Sequence, residues 1–244
     1  MRAEQLQRQL APGRVTAIRF QKRNPERVNL YVDGRFAMTL PAVEAAHLKL
    51  GQMLSAADLD RLAQVDAQQR AYDKAIRFLS YRPRSISEVH RFLRGKGIDS
   101  AISQLVVERL LNAGYLDDES FARWWVENRA QFSPRGEYLL RRELRLKGIA
   151  EETIADALTA SPAGDSTGAE ALWRLAAGRA RRLVAEEKAS FQRKLNAFLI
   201  RRGYGYEESA SVVRQLWEKI ERAREAGQDP RQIEWNIDGE GEEH

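Results

Sequence analysis

Three stretches of the chain share one pattern: residues 84–98 read RSISEVHRFLRGKGI, residues 135–149 read RGEYLLRRELRLKGI, and residues 190–204 read SFQRKLNAFLIRRGY. In each stretch a leucine stands four residues before a late glycine, and another apolar residue stands eight before it. This spacing puts the apolar side chains on one face of a helix. The three copies therefore predict a repeated amphipathic helix with a shared ending.

The helix endings carry a capping signal at Gly97, Gly148 and Gly203. We expect each glycine to take the left-handed conformation just beyond the helix, with an apolar contact across it as in a Schellman motif. The residue before each glycine is Lys or Arg, which is favoured at the negative end of the helix dipole.

The helix starts carry weaker signals. Ser85 with Glu88 fits a capping box, and Ser133 followed by proline fits an N-cap with proline in the first turn. The acidic run that contains Asp118 precedes a further helix, where carboxylates cap free N–H groups. We interpret this run as a cap, not as a metal or acid–base cluster.

The helical pattern predicts three tandem three-helix repeats over residues 71–114, 115–160 and 169–226, with a linker at 161–168 and an acidic tail at 227–244. The predicted helices are 71–80, 86–96 and 99–112, then 119–131, 134–147 and 151–159, then 169–186, 191–202 and 207–222. Repeats that contact only their neighbours favour an extended, curved array.

The amino-terminal part has a different pattern. Residues 1–13 are expected to be flexible, and residues 14–66 alternate short β-branched and aromatic runs with turn residues such as Asp33-Gly34. We predict three antiparallel strands, a helix from Pro41 to Leu50, and a second helix from Ser55 through Val65. The fold class is thus mainly α, with a small amino-terminal antiparallel β-sheet plus helices.

The composition excludes several classes of functional site. The 244 residues contain no cysteine and three histidines, which excludes disulfides and thiolate metal sites. Neither a nucleophile elbow nor a phosphate loop is present. We therefore expect no enzymatic activity, no cofactor and no metal. Without a membrane-length apolar run or a secretory signal, the expected location is the cytoplasm.

Charge is distributed unevenly although the net charge is only +5. Residues 71–97 carry seven basic and two acidic residues, 121–150 carry seven and three, and 174–202 carry nine and two. Residues 218–244 reverse this balance with four basic and nine acidic residues. A basic body with an acidic end predicts a polyanionic or acidic partner.

The basic residues on and around the repeated helices are the candidates for contacting that partner. They are Arg77, Arg84, Arg91, Arg94, Lys96, Arg135, Arg141, Arg142, Arg145, Lys147, Arg193, Lys194, Arg201 and Arg202. A charged helix face is also commonly just solvated, and pairs such as Glu137–Arg141 are ordinary helix pairs four residues apart. Trp124 and Trp125 are interpreted as core residues in preference to a base-stacking platform.

At this point the residues from Ala75 to Leu158 resemble the RecX family of recombination regulators. The resemblance lies in the order and spacing of several short sequence motifs: AIRFL at 75–79, RSISEV at 84–89, LRGKG at 93–97, GYLDDESFA at 114–122, and ELRLKGI at 143–149. The third repeat is looser, and the sheet region resembles the amino-terminal extension of longer members. The acidic tail lies outside the resemblance.

The resemblance implies a monomeric, non-enzymatic modulator of RecA that acts in recombination, DNA repair and the SOS response. Such a protein lodges in the groove of the RecA filament on single-stranded DNA and limits filament growth, ATP hydrolysis and strand exchange. The residues alone leave a second hypothesis open: a non-specific DNA-binding protein that competes for the strand. A nucleic-acid enzyme fits worst, because no carboxylate cluster remains once the capping positions are set aside.

Overall fold

The protein, in a computed structural model that describes residues 11–160 and 167–235, is mainly helical with a small amino-terminal sheet. Those residues form four strands, ten α-helices and one short 3-10 helix. The predicted fold class, mainly α with a small antiparallel sheet, is confirmed.

The sheet has four strands instead of the predicted three. They are β1 (Gly13–Gln21), β2 (Asn24–Val32), β3 (Arg35–Pro41) and β4 (Met53–Leu54), in the spatial order β3-β2-β1-β4. All neighbouring strands are antiparallel. The prediction missed β4 because a two-residue strand is too short to show an alternating pattern. The predicted turn is present, since Asp33 and Gly34 both have positive φ.

The helices after the sheet also differ from the prediction. The helix expected from Pro41 to Leu50 is only α1 (Ala42–Ala45), and one continuous helix, α2 (Ala56–Leu79), replaces the two expected at 55–65 and 71–80. The residues between those two predicted helices include no glycine or proline, so nothing stops the helix there. Ser55 starts α2 in a capping box with Asp58.

Eight further helices follow α2. They are α3 (Ile86–Gly95), α4 (Ser100–Asn112), α5 (Asp118–Phe132), α6 (Glu137–Leu146), α7 (Glu151–Ala160), α8 (Thr167–Ala180), α9 (Lys188–Arg201) and α10 (Tyr206–Glu225). In the order of the predicted repeats, α3, α6 and α9 are the middle helices, and each ends at the repeated glycine pattern.

The chain divides into two compact units. The first contains residues 11–84 and 89–116, and the sheet part of its core includes Leu30, Leu40 and Leu59. The second contains residues 85–88 together with the described residues from 117 onward. It has one apolar cluster among α5, α6 and α7, and another among α8, α9 and α10.

The first residues of the predicted tail, 227–235, lie within the described structure. Pro230–Gln232 form the 3-10 helix, and Trp235 is buried in the cluster of the last three helices. The carbonyl oxygen of Trp235 accepts a hydrogen bond from the indole N–H of Trp173 at 2.8 Å. The rest of the predicted tail, the first ten residues and most of the predicted linker lie outside the described residues; Thr167 and Gly168 already belong to α8.

Candidate binding surface

The three repeated glycines end the middle helices with the same backbone geometry. Gly97, Gly148 and Gly203 have φ of 71°, 81° and 89°. After each of them, the next N–H donates to the carbonyl of the leucine five residues back, at 3.1, 3.1 and 3.3 Å. The glycine N–H in turn donates to the carbonyl three residues back, at 2.9 Å in all three. This pair of bonds defines the Schellman motif.

The start of one middle helix contacts the end of the next, and this contact occurs twice within the second unit. The hydroxyl of Ser85, at the start of α3, donates to the carbonyl oxygen of Lys147 at 2.6 Å. The backbone N–H of Gly136, at the start of α6, donates to the carbonyl oxygen of Arg202 at 2.9 Å. Both acceptors are the residue before a repeated glycine, so a late carbonyl of one helix is satisfied by the start of another.

These contacts leave no room for a side chain at two of the glycines. A Cβ on Gly148 would lie 2.5 Å from the Cβ of Ser87, and a Cβ on Gly203 would lie 2.6 Å from Cγ of Leu139. At Gly97 no described atom lies within 4 Å of the corresponding position. Gly148 and Gly203 thus meet both a conformational and a steric requirement.

Two predicted caps have different roles in the structure. Ser85 and Glu88 form both bonds of a capping box, at 3.2 and 3.3 Å. Ser133, however, is the C-cap of α5, because α6 begins only at Glu137 after Gly136, so its assignment as an N-cap is wrong.

The acidic run contains two caps for two different helices. Asp117 is the N-cap of α5 and accepts from the N–H of Glu119 at 2.9 Å. The Asp118 carboxylate instead accepts from the N–H of Ile86, in the first turn of α3, at 2.9 Å. Burial raises the pKa of Asp118, an effect opposed by this hydrogen bond and reinforced by the charges of Asp117 and Glu88.

Lys147 is committed to a structural ion pair. Its Nζ lies 2.9 Å from Oε1 of Glu88 and 4.0 Å from the ring centre of Trp125. The side chains of Lys147 and Glu88 are only 15% and 14% exposed. Lys147 is thus mostly buried and held in an internal ion pair, and loss of one member of such a pair is costly.

Glu143 organises a second group of charges that the sequence did not single out. Its Oε2 accepts from Arg129 at 2.8 Å and from the indole N–H of Trp125 at 3.0 Å, and Arg135 lies 3.6 Å from Oε1. Trp124 and Trp125 are partly buried and pack against the α5–α7 cluster, as the core interpretation predicts.

Several other candidate cations form ion pairs or ring contacts within the protein. Arg141 bonds to Glu137 and Glu151, and Arg145 bonds to Glu151, all at 2.7 Å. The hydrogen bond from Arg145 holds the pKa of Glu151 below its usual value. Four further candidates contact rings or a carboxylate: Arg84 over Phe78, Lys96 over Phe92, Arg202 over Phe198, and Lys194 with Glu186.

Five candidate arginines are exposed and form no ion pair with the residues that the structure describes. We call them the free arginines: Arg77, Arg94, Arg142, Arg193 and Arg201. On α3 and α6, exposed arginines stand at the same two distances before the repeated glycine. Arg91 and Arg142 are six residues before it, and Arg94 and Arg145 are three residues before it. Residues three apart share a helix face. The first two middle helices thus repeat one pair of exposed arginines.

Within residues 11–160 and 167–235 no group of three or more His, Asp or Glu side chains is arranged to hold a metal ion. In the same residues, no helix combines the length and apolarity needed to span a membrane.

Three family models match successive parts of the chain. Residues 13–55 match the amino-terminal domain of regulatory protein RecX, residues 71–110 match the first three-helix domain of RecX, and residues 117–158 match the second. Regulatory protein RecX of Bacillus licheniformis is 31% identical over 208 residues, which cover 82% of this chain and 76% of that protein. RecX of Bacillus subtilis is 29% identical over 208 residues, covering 83% and 76%.

A solved structure is similar over most of the chain. A crystal structure of a regulatory protein RecX matches with a TM-score of 0.67 and 26% identity, covering 86% of this chain and 98% of that one.

Proposed function

The chain belongs to the RecX family of regulatory proteins, and from this premise we propose that it binds the RecA filament on single-stranded DNA and limits filament growth, ATP hydrolysis and strand exchange. In this proposal it acts by binding alone, as a cytoplasmic monomer without catalysis or a cofactor, in recombination and DNA repair.

The observation that carries the proposal is that α3 and α6 both have exposed arginines three and six residues before their repeated glycines. Arg94 and Arg142 form no ion pair with the described residues, whereas Arg145 is bonded to Glu151. A filament that wraps a phosphate backbone presents charge at a regular spacing. A protein with the same cation pattern on successive repeats is suited to follow such a surface. Because Lys147, Arg141 and Arg135 are paired internally, we assign them to the scaffold that holds these repeats.

Charge reversal of Arg94 and Arg142 tests this assignment. We expect the double variant Arg94→Glu/Arg142→Glu to inhibit RecA ATPase at least about 30-fold less effectively, because each reversal removes an attraction of about 1 kcal/mol and adds a repulsion. Its stability should stay within about 0.5 kcal/mol of the parent, since neither arginine forms an ion pair with described residues.

The matched control is Arg214→Glu/Arg222→Glu, which changes the net charge equally on two exposed residues of α10 that also form no ion pair with described residues. The control should inhibit like the parent. Equal weakening by both double variants would mean that overall charge, not the middle-helix pattern, directs binding, and the assignment would then fail.

A second function, competition for bare single-stranded DNA, is favoured by the same free arginines, because exposed cations suit phosphates equally well. In that case the affinity for DNA without RecA should be high and fall with salt by about 0.7 log units per log unit for each neutralised phosphate. A filament-directed regulator should bind the bare strand weakly.

A further inference from the structure

The two contacts between middle helices follow one rule: the start of a helix docks on the end of the next middle helix in the chain. The start of α3 contacts the end of α6, and the start of α6 contacts the end of α9. Each start donates a hydrogen bond to the carbonyl of the residue before a repeated glycine, from the Ser85 hydroxyl at one contact and from the Gly136 N–H at the other. The positive end of one helix dipole therefore meets the negative end of another.

Both contacts also require a glycine without a side chain. Ser87 of α3 occupies the space that a Cβ on Gly148 would need, and Leu139 of α6 occupies the space that a Cβ on Gly203 would need. A side chain at either glycine would push the docked helix start away from the carbonyl that it bonds.

The docking helices share an acidic first turn, with Glu88 in α3 and Glu137 in α6. At the end of α6 the residue before the glycine is Lys147, and its Nζ lies 2.9 Å from Oε1 of Glu88. At the other contact Glu137 bonds within its own helix, to Arg141. A lysine before the glycine is thus paired by the first-turn acid of the helix that docks on it.

The end of α3 has the same features but carries no docked helix within the described residues. Gly97 has φ of 71° and the Schellman bonds, and no described atom lies within 4 Å of its Cβ position. The carbonyl oxygen of Lys96 accepts no hydrogen bond from the residues that the structure describes. The Lys96 side chain is exposed, lies 5.6 Å from the ring centre of Phe92 and forms no ion pair with those residues. We call Lys96 and Gly97 the open helix end.

The order of the helices explains why this end has no internal partner. Each middle helix receives the start of the middle helix before it, and no middle helix precedes α3. A second copy of the chain is poorly suited to fill the site, because its docking starts at Ser85 and Gly136 are already engaged. The corresponding position of α9, twelve residues before its glycine, is the buried Phe191.

We propose that the open helix end receives the start of a helix from a RecA subunit of the filament. The first residue of that helix donates a hydrogen bond to the Lys96 carbonyl, which water satisfies in the free protein, and a carboxylate of its first turn pairs with the Lys96 ammonium. This inference rests on the proposed function, because it names the surface through which the chain contacts RecA protein and not DNA.

Gly97→Ala tests the docking, because the added Cβ has free space in the isolated protein but would meet a docked helix. We expect inhibition of RecA ATPase to weaken about 5- to 150-fold, which converts the cost of about 1–3 kcal/mol for overpacking a close contact. Gly114→Ala is the matched control. Gly114 also has φ of 71°, follows α4 with the same Schellman bonds and has no described atom within 4 Å of its Cβ position. The two alanines should lower stability equally, and the control should inhibit like the parent.

Carbodiimide crosslinking identifies the group that Lys96 contacts, because this reagent joins an amine directly to a neighbouring carboxylate. In the complex of the full chain with the filament, mass spectrometry should find Lys96 linked to an acidic residue in the first turn of a RecA helix. The same link should be lost in Gly97→Ala and kept in Gly114→Ala. Binding of Gly97→Ala to single-stranded DNA without RecA should equal that of the parent.

The outcomes separate this docking from the proposed function. Parent-like inhibition by Gly97→Ala, an equal loss in Gly114→Ala, or no link from Lys96 to the first turn of a RecA helix would each overturn the docking and leave the regulation standing. A parent protein that does not inhibit RecA would remove both. Weaker binding of Gly97→Ala to bare DNA would assign the open helix end to nucleic acid, and self-association that Gly97→Ala abolishes would assign it to a second copy; either result overturns the proposal.

Discussion

Alanine at Gly148 should destabilise the second unit through two separable effects. The first is conformational, because an L residue at φ of 81° costs about 1 kcal/mol or slightly more. The second is steric: the new Cβ would lie 2.5 Å from Cβ and 2.8 Å from Oγ of Ser87, against a normal contact of about 3.5–4.0 Å. Overpacking of this kind costs about 1–3 kcal/mol. We therefore expect a total loss of about 2–4 kcal/mol.

Gly227 supplies a control within the same unit. It has φ of 70° and the same Schellman bonds at the end of α10, but no described atom lies within 4 Å of its Cβ position. Gly227→Ala should cost only the conformational term of about 1 kcal/mol. The change in the unfolded chain is the same for both substitutions and cancels in the comparison.

Urea unfolding followed by tryptophan fluorescence is the appropriate assay, because all five tryptophans lie in the second unit. Ser87→Gly provides a second check, since it removes both atoms that the new Cβ would meet. In that background Gly148→Ala should cost no more than Gly227→Ala. Equal destabilisation by the two alanines in the parent, or no relief by Ser87→Gly, would refute the close contact.

Two other predictions concern the charges at the start of α3. Asp118→Asn should stabilise the protein at neutral pH, because it removes a carboxylate whose raised pKa makes its ionisation unfavourable in the fold but keeps an oxygen for the N–H of Ile86. The raised pKa costs no stability below the ordinary aspartate pKa, costs more as the pH rises from there, and costs most above the raised pKa. The advantage should therefore vanish near pH 3, and a constant advantage across the pH range would contradict the burial. Lys147→Met should cost about 3 kcal/mol by leaving Glu88 without its cation, and should alter the fluorescence of Trp125; thermal unfolding identical to the parent would contradict a structural ion pair.

Much of the fold could be predicted because it depends on local rules. The glycine endings, the apolar residues four and eight before them, and the Asp33-Gly34 turn are fixed by backbone conformation and helix periodicity. The strand β4 and the continuity of α2 were missed because they depend on tertiary contacts or on the absence of a break. Residues 66–70 contain no helix breaker, which is the only local signal that α2 continues through them. The burial of Asp66 beside Arg27 and Arg70 appears only in three dimensions.

The candidate binding surface could also be predicted only in part. The sequence identified the basic residues, but it could not separate cations that contact a partner from cations that hold the fold. Lys147 and Arg142 look alike in the repeat, yet one pairs with Glu88, 59 positions away, and the other is exposed. Likewise, Phe36 alternates with Met38 and Leu40 in the sequence, yet Leu40 is buried and Phe36 is exposed. The register shift between β2 and β3 that separates them is not visible in the sequence.

We propose that the chain regulates the RecA filament by binding and not by chemistry or by covering DNA. The most direct measurement is RecA ATPase on single-stranded DNA with this protein titrated in well below one molecule per RecA, beside its binding to the same DNA alone. We predict inhibition at these low ratios with much weaker binding to the bare strand. Inhibition that appears only when the DNA itself is saturated would contradict the account and would assign the effect to competition for the strand.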